Sequence, residues 1–185
     1  MPLPGSACLH AREGATRWVF VRVYNNKTAA NARRFLRDLE RACPIRIRTI
    51  LTPSHRLQAN DCRAADNGKE FTDRLFGLRK RAQSGKHQFD KLCAVLDVDL
   101  RLTPPKSPQT NGMVERFNGR IEDVLQSHPF RSGEELEATL HRYVRLYNQQ
   151  LPQSALSSQT PLQAMKDWHK LSHSLFKKQP YYRPG

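Results

Sequence analysis

Acidic residues are scarce in this 185-residue chain: Asp and Glu number 17 against 31 Lys and Arg, a formal net charge of +14. Such an imbalance favours a polyanionic partner, while saying little about fold. Long apolar runs are also missing. Trp18-Val19-Phe20-Val21 is typical of those present, whereas a bilayer-spanning helix needs about 20 apolar residues, so no membrane span is expected. The amino terminus lacks a basic start followed by an apolar stretch, the form of a secretion signal. Cysteine is sparse and scattered: Cys8, Cys43, Cys62 and Cys93 include no C-x-x-C pair. Free thiols are therefore expected, and His55 with Cys62 fits no standard zinc spacing. Internal repeats are absent too.

What is there alternates between strand and helix patterns. Met1 to Ala15, with Pro2, Pro4 and Gly5, reads as an irregular leader. Arg17 to Tyr24 is a strand apolar on both faces, as expected inside a layered sheet. Thr28 to Cys43 carries Ala32, Phe35, Leu36, Leu39 and Cys43 on one helical stripe, and Pro44 stops it. Ile45 to Leu51 is a second strand, so a right-handed parallel crossover is the default if both strands join one sheet. Pro53 to Ala65 is polar and aperiodic, an inserted loop. Helical spacing returns at Phe71, Leu75 and Leu78, and again at Phe89, Leu92, Cys93 and Leu96. Val98 to Thr103 is a third strand, Lys106 to Gly112 a loop, and Met113 to Ser127 a helix. Ser132-Gly133-Glu134-Glu135 has the form of a capping box opening a helix with Leu136, Leu140, Tyr143, Val144 and Tyr147 as its apolar positions. A last helix spans Pro161 to Leu171, and residues 172–185 read as a basic, mobile tail.

Two carboxylates stand at loop-to-helix junctions: Asp66, in Asp66-Asn67-Gly68-Lys69-Glu70-Phe71, and Glu115, in Asn111-Gly112-Met113-Val114-Glu115-Arg116. Acids so placed can share a divalent cation through oxygen ligands. Equally, Asp66 can cap a helix and Glu115 can favour the positive end of a helix dipole; spacing alone leaves both open.

The motif strings go further. Asp66-Asn67-Gly68-x-Glu70-Phe71, then Pro104-x-x-Ser107-Pro108-Gln109-x-Asn111-Gly112-x-Val114-Glu115-Arg116, then Tyr147-Asn148 with Leu156 and Thr160-Pro161 behind it, resemble DDE-type insertion-sequence transposases and retroviral-type integrase cores. The resemblance runs from Ala15 to the end of the chain, apart from Pro53–Ala65. It implies an α/β, RNase H-like mixed sheet flanked by helices over residues 16–171. It implies Mg²⁺ or Mn²⁺ held by two aspartates and a glutamate, in-line phosphoryl transfer on DNA, DNA integration at transposon ends, self-association or binding to a full-length transposase, and a bacterial cytoplasmic setting. By motif Asp66 matches the second aspartate and Glu115 the glutamate, as catalytic and metal-binding residues. DNA contact falls to Lys69, Lys106, Asn111, Arg116, Asn118 and Arg120.

The chain departs from that pattern in three places. The first aspartate belongs on a strand upstream of Thr16-Arg17-Trp18-Val19-Phe20, and residues 1–15 contain no aspartate; Glu13 is their only acid. An N-terminally truncated core, with an incomplete sheet whose first strand is missing or replaced, is the expectation, and with it impaired catalysis. The inserted Pro53–Ala65 separates Leu51-Thr52 from Asp66. Glu122 occupies a position where some relatives carry a basic residue. Two further readings remain: a non-enzymatic DNA-binding or transposase-interacting module, and the product of a decayed gene.

Overall fold

The computed structural model describes residues 7–26, 28–53, 88–103, 117, 119–124, 126 and 130–180. They form an α/β fold in which four strands lie in two separate pairs, an incomplete sheet beside the single mixed sheet that the resemblance implies. The pairs fall in two compact units.

One unit comprises Met1–Asn26, Arg37–Arg46 and Ile121–Gly185. Strand β1 (Ala7–Arg12) pairs antiparallel with β2 (Val19–Tyr24), in register from Ala7 opposite Tyr24 to Arg12 opposite Val19. This corrects the expectation of an irregular leader. Ala7–Arg12 has little strand propensity of its own, but its neighbour supplies a full ladder, and pairing context outweighs intrinsic preference in a sheet. In β2 the consecutive Val19, Phe20 and Val21 are all buried, as a strand apolar on both faces requires.

Helix α1 (Ala29–Ala42) follows the apolar stripe read from the sequence: Ala32, Phe35, Leu36, Leu39 and Cys43 are all buried. Thr28 caps it, its Oγ1 accepting from the Asn31 N–H at 3.2 Å. Helix α3 (Gly133–Gln149), which follows helix α2 (Gln88–Val95) in the chain, packs on β2 and buries Leu136, Leu140, Val144, Tyr147 and Asn148. Its start is a variant of the capping box. Ser132 Oγ accepts from the Glu135 N–H at 3.1 Å, while the Glu135 carboxylate reaches one residue further back, to the Arg131 N–H at 2.9 Å. Helix α4 (Pro161–Leu171) packs on α3 and starts with Thr160 as cap and Pro161 in its first turn.

The segment after α4 is docked, where a loose tail was expected. A 3-10 turn at His173–Leu175 leads to Phe176, which bridges Ile45. Arg46 N–H donates to Leu175 O at 2.9 Å and Lys177 N–H to Pro44 O at 2.8 Å. Backbone groups of Ile45–Arg46, expected to begin the second strand, are thus taken by the C-terminal segment, and that strand starts only at Thr49.

The other unit comprises Lys27–Leu36 and Ile47–Arg120. Here β3 (Thr49–Pro53) pairs parallel with β4 (Asp99–Thr103), and helix α2 (Gln88–Val95) lies between them in sequence and packs on β4. The parallel crossover therefore joins β3 to β4, while the described partner of β2 is β1. Ala32, Leu36, Phe89, Cys93, Val98 and Leu100 make the core of this unit, with Ile50, the register partner of Leu100, packed against it. Leu51 points the other way and is half exposed. The inserted loop Pro53–Ala65 lies outside the described residues after its first position, as does the helical pattern at Phe71–Leu78.

Candidate functional site

The parallel pair sets the ground plan. Register places Pro53 opposite Thr103, so β3 and β4 end side by side, about 4.8 Å apart as neighbouring strands lie. From those two carboxyl ends run the segments that carry the candidate acids: Asp66 is 13 residues past Pro53 and Glu115 is 12 past Thr103. In open α/β sheets, ligands bind in the crevice beyond the carboxyl ends of the strands.

Asp66, Glu115, Lys69, Lys106, Asn111, Arg116 and Asn118 lie outside the described residues. Arg120 is described: it stands exposed on a helical stretch whose Phe117 and Ile121, four residues apart, are buried. Glu122 is exposed on the same stretch. Among the described residues no three His, Cys, Asp or Glu side chains gather in a way that could hold a metal ion.

Glu13, the one acid among residues 1–15, is held by the turn that it folds. One carboxylate oxygen accepts from the Ala15 N–H at 2.9 Å; the other accepts from the Thr16 N–H at 2.5 Å and the Thr16 hydroxyl at 2.6 Å. Its own N–H donates to Trp18 O at 2.8 Å. Glu13 thus knots the turn between β1 and β2, where Arg17 adopts a left-handed conformation with φ 60°. Its oxygens are committed to the backbone they fold.

Asn148 is a residue whose work the sequence motif marks without explaining. Buried at the end of α3, it accepts from Val19 N–H at 2.9 Å and donates through its amide to Val19 O at 2.8 Å. The side chain imitates one residue of a neighbouring strand. Beside it, Tyr147 is fully buried and its hydroxyl donates to Gln153 Oε1 at 3.4 Å. Gln153 in turn organises the loop to α4: its N–H donates to Gln159 O at 2.9 Å and its carbonyl accepts from Ser158 N–H at 3.1 Å. A buried, hydrogen-bonded Asn or Gln is the kind of group that fixes one packing over its alternatives.

The described thiols are inert by placement. Cys43 and Cys93 are buried and unbridged. Burial raises the pKa of both; for Cys93, with the nearby Asp90 charge adding to the effect, it is pushed up to about 11. For Cys43 a backbone hydrogen bond from Ile45 and the charges of Lys177 and Lys178 pull the other way without cancelling burial. Neither is placed as a nucleophile.

A strand hairpin, a helix, and a parallel pair whose carboxyl ends lead into acid-bearing segments fit an integrase-type catalytic-core fold, with an incomplete sheet among the described residues. The comparisons agree. Residues 96–161, which include Glu115, Asn148 and Thr160-Pro161, match the family model described as the integrase core domain. The structure is similar to the catalytic core domain of BIV integrase, with a TM-score of 0.63, 18% identity and coverage of 91% of each chain. No curated protein matches this sequence. No described helix is long and apolar enough to cross a membrane.

Proposed function

We propose that this chain is a transposase/integrase-type core that acts on DNA through Asp66 and Glu115 and is impaired in strand transfer. The observation that carries the reading is the Pro53–Thr103 register. It starts the two acid-bearing segments from adjacent carboxyl ends of a parallel pair, where such folds bind ligands. The integrase core domain match over residues 96–161 supports a DNA-integration function, and integrase cores generally use divalent metal ions, bind DNA and oligomerise.

Asp66 and Glu115 are the residues that would hold the metal, and Mg²⁺ or Mn²⁺ bound there would activate the attacking oxygen and stabilise the leaving one. Lys69, Lys106, Asn111, Arg116, Asn118 and Arg120 would bind and orient the DNA. Impairment follows from the third ligand. The β1–β2 hairpin offers only Glu13 as an acid, and the turn itself occupies both of its oxygens. Two carboxylates in place of three leave less charge to offset a pair of divalent ions. Partners in this reading are transposon-end and target DNA, and a second copy or a full-length transposase.

The test is nicking and strand transfer on labelled transposon-end duplex in Mg²⁺ and in Mn²⁺, with Asp66→Ala and Glu115→Ala beside the parent chain. The expected result is DNA binding with, at most, slow metal-dependent nicking that both substitutions abolish. Vigorous strand transfer would overturn the impairment. Nicking indifferent to both substitutions would overturn the site. Binding that weakens with salt and never leads to cleavage would favour a non-enzymatic DNA-binding module.

A further inference from the structure

The geometry points to a second polyanion-binding surface at the C-terminal end of α1, where Arg37, Arg41 and Arg46 take the phosphates of duplex DNA. This rests on the reading of the chain as one that acts on DNA, and it concerns residues that no motif singled out.

Five cations are carried by the segments that meet there, against two carboxylates, Asp38 and Glu40, that are already ion-paired. Arg37 and Arg41 lie one turn apart on the same face of α1, separated by about 6 Å along the axis. Arg46 follows on the segment that pairs with Leu175, and Lys177 and Lys178 come in from the C-terminal segment. The helix end alone explains the two lysines. Lys177 Nζ donates to Glu40 O at 2.6 Å and to the Glu40 carboxylate, and Lys178 Nζ donates to Arg41 O. They satisfy the orphan carbonyls and the negative end of the dipole.

That assignment leaves the three arginines without employment. Asp38 and Glu40, the carboxylates of these turns, already face Arg22 and Lys177. Arg37, Arg41 and Arg46 are exposed, and among the described residues none has a side-chain hydrogen bond or ion pair. Crowding them beside two lysines raises the local potential at a cost in self-repulsion, which a bound polyanion reverses. Guanidinium groups suit phosphate in particular, because the planar fork bonds two oxygens at once. Arg37 and Arg41, one turn apart on α1, present two such forks on one face, and Arg46 adds a third just beyond the helix end.

The experiment measures binding of the full chain to a fluorescent 30-base-pair duplex across a salt series. EDTA is present throughout, so no metal chemistry enters. The R37Q/R41Q/R46Q variant is expected to flatten the slope of log affinity against log salt by about 2.7, some 0.9 per lost phosphate contact. R37K/R41K/R46K should keep most of the slope. The control is R131Q/R142Q/K166Q, which removes three exposed cations elsewhere in the same unit. An equal loss of slope in that control would overturn the surface, reducing it to net charge. Competition by polyglutamate equal to that by DNA at matched charge would overturn the choice of phosphate. If the triple Gln variant melts early, R46Q carries the test with an expected change of about 0.9. The outcome is separable from the catalytic reading. A slope that falls in a chain that never cleaves keeps this surface and sinks the enzyme; cleavage with an unchanged slope does the reverse.

Discussion

Asn148 holds Val19 by both of its backbone hydrogen-bonding groups, across 129 residues of sequence, with bonds of 2.9 and 2.8 Å in a buried setting. One side chain thereby does for β2 at Val19 what another strand would do. It also fixes the rotation and height of α3 on the hairpin, because an amide satisfies donor and acceptor together in only one orientation.

Asn148→Ala should cost about 2–3 kcal/mol, since it strands a buried N–H and a buried C=O at once. Asn148→Asp should be at least as damaging at pH 7, where a carboxylate would confront the Val19 carbonyl, and should recover part of the loss when acidified. Urea unfolding at pH 7 and pH 4 checks both. A neutral alanine variant would show that the clamp is incidental.

The loop before α4 carries a removable strain. Ser157 and Ser158 have φ of 52° and 61°, consecutive left-handed residues that are not glycine. Gln153 imposes this conformation by bonding the backbone at Gln159 and Ser158. Glycine tolerates the region freely, so Ser158→Gly is expected to stabilise by a few tenths to about 1 kcal/mol, the relief outweighing its larger unfolded entropy. A rise of a few degrees in the midpoint of thermal unfolding is the expected readout; a fall would show that the serine side chain matters more than its backbone angle.

Cys93 gives the fold a pH signature. Burial, assisted by the Asp90 charge, raises its pKa to about 11 from an ordinary 9.0. A raised thiol pKa contributes stability that is whole below the unfolded value and fades as pH climbs through the folded one. Stability should therefore decline between about pH 9 and about pH 11, and Cys93→Ser should remove that decline. Alkylation of Cys93 in the native chain should still be accelerating at pH 10, where an exposed cysteine has levelled off; a plateau near 9 would contradict the burial argument.

Helices were legible wherever periodicity met a cap. Thr28 and the stripe through Ala32, Leu36 and Cys43, Ser132 with Glu135, and Thr160 with Pro161 each place a terminus within a residue or so of the observed one. Strand pairing was much less legible. Ala7–Arg12 looks featureless alone and becomes a strand through β2; Ile45–Arg46 looks like strand and is claimed by the C-terminal segment. Both outcomes depend on residues far away in sequence, which no local pattern encodes. For the site, the strings around Asp66 and Glu115 identified the family resemblance, yet the β3–β4 register that starts their segments side by side is a tertiary fact. Tyr147-Asn148 was readable as a motif, but not as a clamp on Val19.

The unit that holds the hairpin is assembled from three stretches of chain, Met1–Asn26, Arg37–Arg46 and Ile121–Gly185. Two of its long-range ties, Asn148 to Val19 and Lys177 to Glu40, span 129 and 137 residues. During synthesis the hairpin therefore leaves the ribosome long before the helix and the C-terminal residues that secure it. Until residues 148 and 177 have been made, Val19 lacks its clamp and α1 lacks its terminal lysine contacts. High sequence separation of this kind slows folding and lengthens the exposure of unpaired β-edges, so the nascent chain is expected to depend on chaperones more than its modest size suggests.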